Sequence, residues 1–259
     1  MKNVLKSILS DMTQYKNLEF VIIKNNEDGH TIATGINTER RMLITANAGS
    51  YSEIDTMLSM GNLPFLKKIL DQEQMSGDTG KMELVAGTSQ LGSDIYKHIL
   101  FKSPRMNIKY SAVDPRAVQE KARNTKFPPV INDLPISIKL NIEEHTVDDF
   151  KQAAALQRMM SPAEESLMHV NVDDKSNLIF GFPYTNNSID VIVANNIESS
   201  DVPTDLKFDV EMLEKAFRLL SNRSNRKILL SSKFMDIKYT SYLISYHVRF
   251  PIKTIVKRM

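Results

Sequence analysis

The chain has 259 residues, of which 42% are hydrophobic and 25% charged, and it carries a formal net charge of +2. These values describe an ordinary globular chain, long enough to bury one large core or two smaller ones without covalent staples. Cysteine is absent, which excludes disulfides and thiolate metal sites and fits a reducing interior. The small net charge does not by itself mark a nucleic-acid binder, so the arrangement of charge has to decide.

Residues 2–14 place Val4, Leu5, Ile8, Leu9 and Met12 at helical spacing. This interrupted pattern predicts a helix of the folded protein rather than a signal-peptide core. Nowhere does the chain approach the ~18 consecutive apolar residues of a membrane span. Strands are expected at 18–23, 31–36 and 41–46, with a turn at Asn25–His30 rich in residues that tolerate left-handed backbone. Asn62-Leu-Pro-Phe-Leu-Lys-Lys-Ile-Leu-Asp71 reads as a short helix, with Asn62 as its cap and Pro64 in the first turn. Strands follow at 82–86, 96–102 and 105–111. Residues 112–132 are polar, Pro-bounded and weakly periodic, as a linker between domains would be.

The second half is more regular. Ile136, Ile138, Leu140 and Ile142 alternate as in a half-buried strand. Thr146 to Met160 reads as a helix opened by a Thr-x-x-acid start, with Asp148 and Asp149 near its positive end. Strands at 167–172 and 178–182 flank a turn at Asp173–Asn177. Another turn at Asn186-Asn187 leads into a strand at 189–194. Asp209 caps a last helix to Leu220, with Phe208 placed to staple onto Leu213. Strands are then expected at 227–232, 236–239, 242–248 and 252–256. Each half thus sets two amphipathic helices among several strands, a duplication of pattern rather than of sequence. The Asn-x-Ser tripeptides at Asn186 and Asn222 carry little weight in a chain that is not exported.

Catalytic motifs are missing. Gly77-Asp-Thr-Gly-Lys81 lacks the spacing of a phosphate loop, and Met82 stands where Ser or Thr belongs, so a hairpin turn is the reading. Glu143-Glu-His145 reads as a solvated corner. His30, His98, His145, His169 and His247 have no ligand spacing, and no Gly-x-Ser-x-Gly elbow occurs. No catalytic residue, metal site or cofactor is assigned.

Basic residues do follow a pattern. Phe150, Ala153, Ala154 and Leu156 are expected to face a sheet, leaving Lys151, Ala155 and Arg158 on the opposite side. On the last helix Met212, Leu213, Ala216, Phe217 and Leu220 face inward, while Glu211, Lys215 and Arg218 face outward. Lys2 and Lys6 align on the first helix, and Lys67 and Lys68 adjoin on the second. Surface helices carry Lys and Arg for solubility alone, but four helices with the same habit suit a backbone-directed nucleic-acid surface. Without aromatic runs for base stacking, duplex fits better than single strand.

The order and size of these elements resemble the DNA sliding clamps, the ring-shaped processivity factors of replication, and most nearly those of T-even-like bacteriophages. The start Met1-Lys-Asn-Val-Leu-Lys is similar to their short first helix, and Asn62-Leu-Pro-Phe-Leu-Lys-Lys-Ile-Leu to their second. Ala112-Val-Asp-Pro followed by Phe127-Pro-Pro resembles their interdomain connector. Val147-Asp-Asp-Phe-Lys-Gln-Ala and Phe208-Asp-Val-Glu-Met-Leu sit where clamp domains start inner helices. The resemblance spans the chain through short motifs in the right order. It departs in a slightly basic charge and in a longer first half around 71–105.

The resemblance implies an α+β clamp fold of two similar domains, 1–111 and 133–259, joined by a connector at 112–132. Each domain would carry antiparallel sheets on the outside and two helices on the inner face, and three chains would close a ring. It implies a non-catalytic processivity factor that encircles double-stranded DNA. A clamp-loader ATPase would open it, and it would tether a DNA polymerase in the cytoplasm of an infected bacterial host, soluble and without a membrane partner. Lys2, Lys6, Lys67, Lys68, Lys151, Arg158, Lys215 and Arg218 would face DNA. Val113, Val118, Phe127, Tyr242, Ile244 and Tyr246 would form a pocket for partner peptides. The competing readings are a phage virion or assembly protein of mixed α/β build that binds only protein, and an enzyme with dispersed catalytic residues.

Overall fold

The structure is a computed structural model that describes residues 2–15, 18–37, 42–50, 54–72, 80–89, 92, 94–116, 135–160, 166–184, 187–198, 202–203 and 206–253. Two compact units are present, residues 1–127 with 242–246, and residues 128–241 with 247–259.

The first unit opens with α1 (Lys2–Met12), followed by β1 (Phe20–Asn25), β2 (His30–Ile36), β3 (Leu43–Ser50) and β4 (Leu58–Met60). Then come α2 (Leu63–Leu70), β5 (Lys81–Thr88), β6 (Asp94–Ser103) and β7 (Met106–Ser111). The strands run β4-β1-β2-β3 in one sheet and β5-β6-β7 in another. Leu5, Ile8, Leu9 and Met12 of α1 are buried, as are Leu66 and Ile69 of α2 and Val21, Ile23 and Ala33 of the sheet. The buried positions on α1 match the predicted spacing. The strand β4 was not predicted, because three residues carry too little alternation to register as a period of two.

Asn62 precedes α2 but does not cap it with its side chain. It adopts left-handed backbone at φ 43 and ψ 50, a conformation Asn tolerates better than most residues. Its carbonyl accepts from the Phe65 and Leu66 N–H groups at 3.0 and 3.2 Å. Just before it, a Cβ on Gly61 would lie 2.9 Å from the Val113 side chain, so only glycine fits the approach. The Tyr110 hydroxyl donates to the Gly61 carbonyl, and burial pushes that phenol up to about 12. The Val113 N–H donates to the Ser59 carbonyl at 2.9 Å. Val113 is therefore pinned against β4.

The second unit contains β8 (Ile138–Asn141), α3 (Glu144–Met160), β9 (Leu167–Val172), β10 (Leu178–Tyr184), β11 (Asn187–Ala194) and β12 (Leu206–Asp209). It continues with α4 (Val210–Leu220), β13 (Ser224–Leu230), β14 (Phe234–Ser241) and, from His247 on, β15 (Ile244–Pro251). Strand orders are β11-β10-β9-β12 and β15-β14-β13-β8. Asp209 does cap α4, its Oδ1 accepting from the Met212 N–H at 3.3 Å. The strand expected at 252–256 is not seen at 252–253, and its remainder lies outside the described residues. The residues expected to form the turn at Asn186-Asn187 lie partly outside them too, but Tyr184 faces Asn187 across the hairpin.

Two predictions for α3 are corrected. The helix begins at Glu144, so Thr146 is inside it and buried rather than capping it. Leu156 is 48% exposed, and Gln157 is buried in its place. The buried stripe Val147, Phe150, Ala153, Ala154, Gln157 keeps the three- and four-residue spacing of one face, and Leu156 is off that phase. Gln157 is accommodated because its amide donates to the Leu167 and Pro183 carbonyls, both at 2.9 Å.

Helices α3 and α4 lie side by side. Phe150 of α3 stacks on Phe217 of α4, ring centroids 3.7 Å apart and 8° from parallel. Phe182 meets Phe150 edge-on at 5.3 Å, and Phe180 meets Phe217 edge-on at 6.5 Å. These contacts fix both helices on the β10 face and turn their opposite sides outward.

Candidate nucleic-acid interface

The outward side of α3 and α4 carries all four cations expected there, and each has a carboxylate partner. Lys151 pairs with Asp148 at 2.8 Å and also donates to the Ser221 hydroxyl. Lys215 pairs with Glu211 at 3.1 Å. Arg158 and Arg218 both pair with Glu214, at 2.8 and 2.7 Å. Four cations against three carboxylates leave this face one net positive charge per chain. The charge is weaker than the cations alone suggest.

Glu214 is the residue that sequence reasoning missed. It is 4% exposed, although an outward helix face is where a carboxylate normally finds water. The side chains of Arg158 and Arg218 are 40% and 64% exposed, so the guanidinium groups lie over the carboxylate and reach solvent. The Glu214–Arg218 and Glu211–Lys215 spacing of four residues was a usable signal. Arg158, 56 residues away from Glu214 in sequence, had none.

In the first unit α1 and α2 are also neighbours. Lys6 is half-buried on α1, Lys67 is half-buried and Lys68 exposed on α2. Among the described residues neither Lys67 nor Lys68 has a carboxylate partner, and both lie in the last turn of α2, where the helix dipole favours cations. Lys2 is the first residue of α1, and its side chain lies outside the described residues.

Of the six residues expected to form a peptide pocket, Val118 and Phe127 lie outside the described residues. Val113 is half-buried against Gly61. Ile244 and Tyr246 are buried, and Tyr242 is 84% exposed at the tip of the β14–β15 hairpin with φ 54. Beyond Val113 in the chain, Asp114, Pro115 and Arg116 line a cleft of about 200 Å³ with Met57, Ser89, Asp94 and Ile95.

A larger groove of about 810 Å³ runs between α3 and β11, lined by Glu143, His145, Asp149, Leu156 and residues 189–195. Strand β11 is an edge of its sheet, as β7 is of its own. Ile192 on β11 and Met159 and Met160 at the end of α3 are exposed. Glu143 and His145 are exposed and 3.2 Å apart, and Glu144 pairs with Arg226 of β13, in keeping with a solvated corner. Among the described residues no group of three His, Asp or Glu side chains is arranged to hold a metal ion. Among the same residues no helix is long and apolar enough to cross a membrane.

No family model and no curated protein sequence matches the chain. Solved structures do. PCNA from Thermococcus kodakaraensis superposes with a TM-score of 0.64 at 12% identity, covering 98% of this chain and 97% of that one. A. fulgidus PCNA bound to the C-terminal region of FEN-1 gives 0.63 at 12% identity, over 99% and 98% of the two chains. Proliferating cellular nuclear antigen from Entamoeba histolytica gives 0.60 at 12%, over 98% and 96%. The fold is the clamp fold. It is an α+β fold with antiparallel sheets and few helices, as expected from the order of elements, and the likeness extends over both units.

Proposed function

We propose that this chain is a sliding clamp, which encircles duplex DNA and tethers a DNA polymerase without catalysing a reaction itself. One observation carries the reading. In a chain that shares the PCNA fold end to end, each unit sets a pair of adjacent helices with basic side chains turned away from its core. Such cations serve phosphates of any sequence, which suits movement along DNA rather than recognition of a site. In this reading Lys2, Lys6, Lys67, Lys68, Lys151, Arg158, Lys215 and Arg218 are the DNA-facing set. Residues 1–111 and 133–259 act as two clamp domains, and 112–132 connects them.

Three copies would close a ring through head-to-tail contacts. The edges of β7 and β11 supply one strand each for such a contact, and covering them removes two edges open to adventitious pairing. The apolar side chains of Leu156 and Ile192 beside the β11 groove would be buried with them. A clamp-loader ATPase would open the ring. Partner tails, of the kind A. fulgidus PCNA takes up from FEN-1, would dock beside the connector, near Val113, Val118, Phe127, Tyr242, Ile244 and Tyr246. The likeness to phage clamps in the short motifs supports a bacteriophage protein working inside its host.

The test is the mass in solution by light scattering across a concentration series. The expected value is three times the 29.5 kDa chain, falling to one chain when Ile192→Asp places a charge on the β11 edge. A monomer at every concentration refutes the ring.

A further inference from the structure

Glu214 places a buried negative charge on the helix face that would meet DNA, where a carboxylate works against phosphate binding. Its Oε1 receives Nη2 of Arg158 from α3 at 2.8 Å, and Nε and Nη2 of Arg218 from α4 at 3.1 and 2.7 Å. Asp148 and Glu211 act differently, since each pairs with a lysine of its own helix. Glu214 joins two helices and holds two guanidinium groups over one oxygen. A guanidinium has five N–H donors in a fixed fork that matches a phosphate. Arg158 uses one nitrogen on Glu214 and Arg218 uses two, so both keep donors for solvent or a ligand.

Two effects of this carboxylate oppose each other. Its charge repels a phosphate, which in water at a separation of ~6 Å weakens binding by roughly a factor of three, and by less once salt screens it. Its grip orders two long side chains before the ligand arrives. Each rotamer-rich side chain ordered in advance is worth roughly a factor of two to ten. Ordering two of them outweighs one screened charge.

We infer that Glu214 is a positioning residue that turns Arg158 and Arg218 into one preformed phosphodiester fork spanning α3 and α4. This rests on the reading of that face as the DNA-facing one. Glu214→Ala and Glu214→Gln make the same change in charge, but only Gln keeps an acceptor oxygen for the arginines. A role of Glu214 in charge alone therefore gives both variants the same affinity.

The measurement is fluorescence anisotropy of the full-length chain with a short labelled duplex of mixed sequence at low salt. Solution mass and melting temperature are checked for each variant, and Arg218→Ala is run alongside. Glu214→Gln is expected to bind about tenfold tighter than Glu214→Ala. Equal affinities, or tighter binding by the Ala variant, overturn the inference. When Arg218→Ala binds more weakly but the two Glu214 variants are equal, the positioning role falls and the DNA-facing reading stands. When all three bind like the unaltered chain, the DNA-facing reading of this face fails and the inference with it.

Discussion

Removing both arginines from Glu214 should cost far more stability than removing either alone. With Arg158→Ala or Arg218→Ala, the carboxylate keeps one guanidinium at 2.7 or 2.8 Å. The lost partner is 40% or 64% exposed, so each single change should cost about 0.2–1 kcal/mol, as partly exposed ion pairs do. The double variant strips both cations from a carboxylate that is 4% exposed while they cover it, which costs about 3 kcal/mol, the low end for a buried charge left unpaired, because water enters where the guanidinium groups lay. The double should therefore exceed the sum of the singles by at least ~1 kcal/mol, within the range of coupled neighbours. Glu214→Gln in the double background should recover most of the loss, because a neutral amide is cheaper to bury. Urea denaturation followed by circular dichroism, at fixed protein concentration, reads these differences. In melting temperature about 3 kcal/mol corresponds to roughly 6–12 °C for a unit of this size. A double variant equal to the sum of its singles would refute the shared grip on Glu214. Neutralising all four cations of the face is for the same reason a poor probe of DNA contact, since it perturbs the fold as well.

Phe217→Ala removes one ring of the Phe150–Phe217 stack and its edge contact with Phe180 of β10, and should lower stability by about 3–5 kcal/mol in the same denaturation assay. Asp236 is buried, and burial alone would raise its carboxyl, but hydrogen bonds from Arg249 and His247 outweigh that and hold it below its ordinary 3.8. Its contribution to stability is thus complete above 3.8 and is lost as pH falls through the lower folded value, so acid titration of Asp236→Asn should lack that part of the decline. Tyr242 pays for left-handed backbone at φ 54 in an exposed turn, so Tyr242→Asn should raise the urea midpoint by about 0.5–1 kcal/mol of stability, and a lowered midpoint would show that the ring is held by contacts instead.

Periodicity made much of the fold legible. The apolar residues of α1, the cap at Asp209 and the alternation in β8 all depend on neighbours within a few positions, and each appears in the structure close to where it was expected. Strand β12 (Leu206–Asp209) went unread because it runs straight into its own helix and borrows its alternation from only four residues. Asn62 has the side chain of a cap and the backbone of a left-handed turn, and only the second is used. Leu156 and Gln157 exchange roles because the helix phase, set by Phe150 and Ala153, dominates over the polarity of one side chain whose amide finds two carbonyls in the fold.

Of the candidate interface, the sequence disclosed which side chains point outward but not what they touch. Facing is a property of one helix, and spacing determines it. Pairing across helices is a property of two, and it depends on how Phe150 and Phe217 set α3 against α4. A count of outward Lys and Arg therefore overstated the charge available to a polyanion. The three carboxylates that reduce it comprise two local partners, Asp148 and Glu211, and one, Glu214, that becomes a partner of Arg158 only after folding. On the proposed DNA-facing reading, a face assembled this way would offer phosphates one net charge per chain rather than four. Counterion release scales with the number of phosphates neutralised, so on the proposed DNA-facing reading the pairing itself would give weak contact with a shallow salt dependence.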